Sequence, residues 1–97
     1  MYKIIFTQKA LKDLSWFTSY YIRIFPEGQV GAYANFQKCL DTISEFPEIG
    51  RLDSENDNRE FIISKTRFTI IYCIQGENIY IQSVWDDRRN PISKKNQ

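Results

Sequence analysis

The sequence predicts an α+β fold of order β-α-α-β-β-β, in which a helical hairpin packs on one face of a mostly antiparallel sheet. Three observations carry this expectation. Apolar residues recur at helical spacing through two successive segments between residues 8 and 46. Three runs rich in β-branched and aromatic residues follow between residues 61 and 85. Turn signals fall at the boundaries, at Phe25-Pro26, Phe46-Pro47 and Gln75-Gly76-Glu77-Asn78.

The elements follow in order. Tyr2 to Phe6 reads as a short strand, and Thr7 after it is placed to cap a helix by accepting a hydrogen bond from an early backbone N–H. From Gln8 to about Ile24 the apolar stripe is Leu11, Leu14, Phe17, Tyr21 and Ile24, with Lys9, Lys12 and Asp13 between them. Pro26 stops that helix, because a residue before proline is pushed out of the α region. A second helix starts near Pro26-Glu27-Gly28, carries Val30, Tyr33, Phe36, Leu40 and Ile43 on one face, and ends at Phe46-Pro47. Two amphipathic helices joined so briefly make an antiparallel hairpin.

Pro47 to Asn58 is turn-rich and acidic, and reads as the most mobile loop of the chain. It lacks the glycine and terminal glutamate spacing of an EF-hand, so it reads as a solvated loop and no calcium site. The meander then runs through Phe61-Ile62-Ile63, Phe68 to Ile74 and Ile79 to Trp85. Alternation puts Phe68, Ile70, Tyr72 and Ile74 on one face and Ile71 and Cys73 on the other. The middle strand is therefore apolar on both faces. The hairpin would cover one of them, and the other is expected to be partly bare, as a partner surface would be.

Size and composition bound the rest. A chain of 97 residues makes one domain, assigned to residues 1–92 with a short polar tail at 93–97. Hydrophobic residues are 42% and aromatics 15%, enough for one core. A net charge of +1 gives no cationic field for bulk nucleic-acid binding, so any anionic partner must meet a local patch. No apolar run approaches the roughly 20 residues that span a bilayer. With no signal-peptide pattern at the start, Cys39 and Cys73 read as reduced core thiols of a soluble cytoplasmic protein.

Chemistry concentrates where the last strand ends, in Asp86-Asp87-Arg88-Arg89 before Asn90-Pro91. Adjacent carboxylates on a strand face opposite ways and do not share an ion, so no metal site is assigned. No cofactor is called for. Arg67 and Arg88 read either as ligands of an anionic group or as partners of Asp86, Asp87 or Glu60. Tyr72 and Tyr80 read as packed aromatics, and Trp85 and Trp16 as either contact residues or core edge.

The chain resembles the RelE/ParE superfamily of type II toxin–antitoxin toxins. The pieces that carry the likeness are Phe46-Pro47-Glu48-Ile49-Gly50-Arg51, Arg59-Glu60-Phe61, Arg67-Phe68-Thr69-Ile70-Ile71-Tyr72 and the closing Arg88-Arg89-Asn90-Pro91. Their order covers nearly the whole chain. The resemblance implies a plasmid-stabilisation toxin held in a hetero-oligomer by an antitoxin, with homodimers also conceivable. One branch of the superfamily cleaves mRNA on the ribosome, and the other, ParE-like, poisons DNA gyrase.

Metal-free RNA cleavage needs a base, cations for the phosphorane charge and an acid for the leaving oxygen. The sequence contains no histidine, and its last residues offer no tyrosine. A nuclease would have to draw on Arg59, Lys65, Arg67, Tyr72 and Arg88, with Tyr72 or Lys65 as base. The ending Arg-Arg-Asn-Pro and the missing histidine favour the ParE-like branch, with Trp85, Arg88 and Arg89 as target-binding residues. The alternatives are a ribosome-dependent endoribonuclease and an inactive toxin-like domain that only binds antitoxin.

Overall fold

A computed structural model of the chain describes residues 1–88. Strand β1 is Lys3–Phe6, helix α1 is Gln8–Ser19, and helix α2 is Gln29–Glu45. Strands β2 (Arg51–Leu52), β3 (Arg59–Ile62), β4 (Phe68–Gln75) and β5 (Asn78–Asp86) follow. They form a five-stranded sheet in the order β1-β5-β4-β3-β2. β1 runs parallel to β5 and the other pairs are antiparallel. The expected α+β architecture holds, with one strand more than the sequence indicated.

Thr7 caps α1 as anticipated, its Oγ1 accepting from the Ala10 N–H at 3.1 Å. The helix does not continue in α form to Ile24. It passes at Tyr20–Ile24 into a π-helical turn, and Pro26–Gly28 forms a 3₁₀ turn that leads into α2. A π-helical turn widens the backbone and rotates the residues beyond it about the helix axis. Tyr21 stays buried, whereas Ile24 is turned out to solvent.

The core lies between the helical hairpin and one sheet face. Phe17 stands at its centre, with ring centroids of Phe68 at 4.9 Å, Tyr21 at 5.2 Å and Phe36 at 5.3 Å. Phe68, Ile70 and Tyr72 of β4 and Ile79, Ile81 and Val84 of β5 complete it from the sheet side. The helical stripes differ in part from expectation. Leu11 is 52% exposed and Val30 84% exposed, while Ala10, Asp13, Ala32 and Cys39 are buried.

Asp13, a polar spacer on sequence grounds, faces the sheet. Its Oδ2 accepts from Ser83 Oγ at 2.6 Å, from the Val84 N–H at 3.2 Å and from Lys9 Nζ at 2.9 Å. These contacts lie where β5 is bulged. Tyr72 pairs with Ile81 and Ile71 with Ser83, which leaves Gln82 as the extra residue. The bulge keeps Val84 on the core face after Ile79 and Ile81, although simple alternation would have put it on the other face.

One further expectation changes. The stretch from Pro47 to Asn58 is partly fastened, because β2 within it pairs with β3. The sheet face away from the helices is partly bare. Ile62 is exposed there, but Thr69, Ile71 and Trp85 are buried. Both cysteines are free thiols, Cys39 buried and Cys73 half-buried. No helix among the described residues is long and apolar enough to cross a membrane. Arg89 and the tail assigned to residues 93–97 lie outside the described residues.

Candidate functional site

The residues singled out from the sequence fall into two clusters at different places on the sheet. The first is built at the end of β5. Asp86, the last residue of that strand, is buried and uses both carboxylate oxygens. Its Oδ2 accepts from Arg67 Nη2 at 2.6 Å and from the Trp16 indole Nε1 at 3.0 Å. Its Oδ1 accepts from the Arg88 backbone N–H at 3.0 Å. The Arg67 guanidinium carbon lies 4.2 Å from the Tyr20 ring centroid, and Tyr20 meets Trp16 edge-on at 6.1 Å. Arg88 itself is exposed.

Electrostatics follow from this packing. Burial alone raises the Asp86 pKa. The hydrogen bond from Arg67, the Arg88 N–H, the Trp16 indole and the Arg67 charge together outweigh it and hold the carboxyl below its ordinary value. Asp87 points the other way, receiving the Thr69 hydroxyl at 2.8 Å on the opposite sheet face. The two carboxylates are thus separated as strand geometry requires. Asp87, Thr69, Ile62, Phe61, Glu60 and Arg51 line a shallow groove there.

The second cluster holds the Pro47-to-Arg51 loop. The Tyr72 hydroxyl donates to the Pro47 carbonyl at 2.7 Å and accepts from the Gly50 N–H at 2.9 Å. Arg59 Nη1 donates to the carbonyls of Glu48 at 3.0 Å and Gly50 at 2.9 Å. A Cβ at Gly50 would stand 2.6 Å from the Tyr72 hydroxyl, so the close approach requires glycine there. Burial raises the Tyr72 pKa against the lowering effects of the Gly50 N–H and the Arg59 charge. That phenol is locked, neutral and inaccessible.

The clusters do not meet. Arg59 sits opposite Tyr72 and Asp86 opposite Phe68, four residues along the same strand. At about 3.4 Å per residue the two are about 14 Å apart. Lys65 belongs to neither, being exposed in the β3–β4 turn with a left-handed φ of 60°. Trp85, a target-contact candidate from the sequence, is only 4% exposed and packs within the fold. Sequence reasoning left Trp16 unassigned and missed that its indole reaches Asp86. The signal available, a tryptophan beside Phe17 near the end of α1, is weak.

Comparisons with known proteins bear on this arrangement. The sequence matches the family described as "ParE toxin of type II toxin-antitoxin system, parDE" across residues 4–91. The chain belongs to the ParE toxin family. Membership makes it the toxin component of a type II toxin–antitoxin system. Among solved structures it is similar to a chain of the chromosomal ParDE toxin–antitoxin system from P. aeruginosa. That match has a TM-score of 0.68 and 21% identity, covering 87% of this chain and 94% of the other. A likeness at that identity speaks for the fold. No curated protein sequence matches this ParE-family chain.

Proposed function

We propose that this toxin inhibits DNA gyrase by binding it through the exposed turn that follows β5, and that a cognate antitoxin neutralises it in a cytoplasmic hetero-oligomer. The observation that carries the reading is the match to ParE toxins over residues 4–91. The arrangement of side chains supports binding over cleavage. A metal-free ribonuclease needs a base within reach of a 2′-hydroxyl, beside cations that meet the phosphorane charge. Here the Tyr72 hydroxyl is committed to Pro47 and Gly50, and Arg59 is committed to two backbone carbonyls. Arg67 is paired with Asp86, and Lys65 stands apart on a turn. Among the described residues, Arg88 is an exposed cation just past the strand end. Its guanidinium suits a carboxylate or phosphate on a macromolecular target.

The test sets a gyrase supercoiling assay beside an in vitro translation assay with the purified chain. Inhibited supercoiling with intact mRNA is the expected outcome. Cleavage of mRNA in the ribosomal A site, with gyrase unaffected, overturns the reading in favour of a ribonuclease. Silence in both assays, with no growth arrest on expression, leaves a domain that only binds antitoxin. Arg88→Ala is expected to retain the fold and antitoxin binding. Its potency should fall about 10- to 100-fold, the range for losing one charge-assisted contact.

A further inference from the structure

We propose that Asp86 is a positioning residue for the target-binding end of the toxin, held by Trp16 and Arg67 so that it aims Arg88. This rests on the role given to Arg88 above. The sheet ladder ends at Asp86, and the next residues form a turn. Beyond that point the described chain is held to the sheet by Asp87, whose N–H donates to the Arg67 carbonyl at 2.8 Å and whose carboxylate accepts from the Thr69 hydroxyl, and by the Arg88 N–H donating to Asp86 Oδ1. The last of these fixes the backbone from which the Arg88 side chain projects. It is only as rigid as the carboxylate that receives it.

That carboxylate is fixed from the opposite side. Oδ2 is gripped by Arg67, next to the β3–β4 turn, and by Trp16, one turn before the end of α1. Arg67 is in turn kept in place by the Tyr20 ring. A carboxylate pinned at one oxygen by two donors has little freedom to rotate, so its other oxygen presents a fixed acceptor. A binding group must be held within roughly half an ångström of its productive place, and supporting hydrogen bonds supply that restraint. Trp16 is the informative member. An aromatic present only for packing needs no N–H donor, whereas this indole spends its donor on Asp86.

Trp16→Phe removes the donor and keeps a ring against Tyr20. Arg67→Lys keeps the charge and loses the planar fork, and serves as the second probe. Each is compared with Arg88→Ala and with the Trp16→Phe/Arg88→Ala double variant in titrations of gyrase supercoiling. Melting temperatures identify any loss of fold, and growth arrest on induction is scored in parallel. Trp16→Phe is expected to weaken inhibition about 5- to 10-fold while remaining folded, and the double variant to match Arg88→Ala alone, because two residues acting through one group are not additive. Full potency in folded Trp16→Phe, beside a weakened Arg88→Ala, overturns the positioning role and spares the reading of Arg88. Additive losses in the double variant also overturn it. Full potency in Arg88→Ala removes both ideas. A parent chain inert on gyrase but able to arrest growth sinks the gyrase reading, and the same cycle scored by growth arrest then decides the positioning role.

Discussion

At the scale of single residues, two buried polar groups show how this protein holds its functional face. Tyr72 satisfies a backbone acceptor at Pro47 and a backbone donor at Gly50 with one hydroxyl. Tyr72→Phe would leave both unpaired in the interior, at a cost of about 1–3 kcal/mol. Urea denaturation should register that loss, and the phenol's absence should leave gyrase inhibition per folded molecule unchanged. Asp86 makes a pH prediction with a definite sign. Its pKa is lowered in the folded protein from an ordinary value of 3.8, so the unfolded chain binds the proton more readily. Its contribution is complete at neutral pH and is lost as pH falls below the ordinary value and through the folded one. Asp86→Asn should therefore destabilise the fold at pH 7, because Arg67 is left without its carboxylate partner. The difference from the parent should shrink towards pH 3 in parallel urea titrations. A constant difference across that window would mean that the carboxylate's charge is not what stabilises the fold.

At the scale of elements, local signals predicted the helices well and their facing poorly. Thr7 reads as a cap in the sequence and acts as one, because capping needs only a hydroxyl within three residues of an early N–H. Thr7→Ala should lose about 1 kcal/mol and lower the melting temperature by about 4–8 °C, measurable by circular dichroism. The choice of Leu11 and Val30 as core residues failed for a physical reason. Neighbouring positions on a helix lie about 100° apart, and a stripe assembled from large apolar residues misses the small ones that let backbones approach. Ala10 and Ala32 occupy the close contacts here, and Asp13 is drawn inward by Ser83 and Val84. The strand β2 was invisible for a different reason. Arg51-Leu52 has little β character of its own and pairs because Tyr72 and Arg59 bring the preceding loop against β3.

At the scale of the whole molecule, one aromatic nucleus joins both helices to the sheet. Phe17 touches Tyr21 of the π-helical turn, Phe36 of α2 and Phe68 of β4. Phe17→Ala should cost about 3–5 kcal/mol, the range for deleting a buried ring with incomplete collapse of the cavity. Against a usual total of about 5–15 kcal/mol, that change should leave the protein marginally folded, as equilibrium unfolding would report. The sequence by itself determined the order of the two helices and the four longer strands, the capped first helix, the central apolar strand β4 and the family resemblance. Each depends on periodicity or on neighbours close in the chain, which a linear reading can follow. Only the tertiary structure decided that β1 lies parallel beside β5, that a bulge at Gln82 resets the facing of β5, and that Tyr72 and Arg59 brace a loop. It alone brought Trp16 to Asp86, 70 residues on, a carboxylate whose other oxygen accepts from the Arg88 backbone N–H. Such contacts join positions far apart in the chain, and no local pattern records which distant donor a buried carboxylate will find.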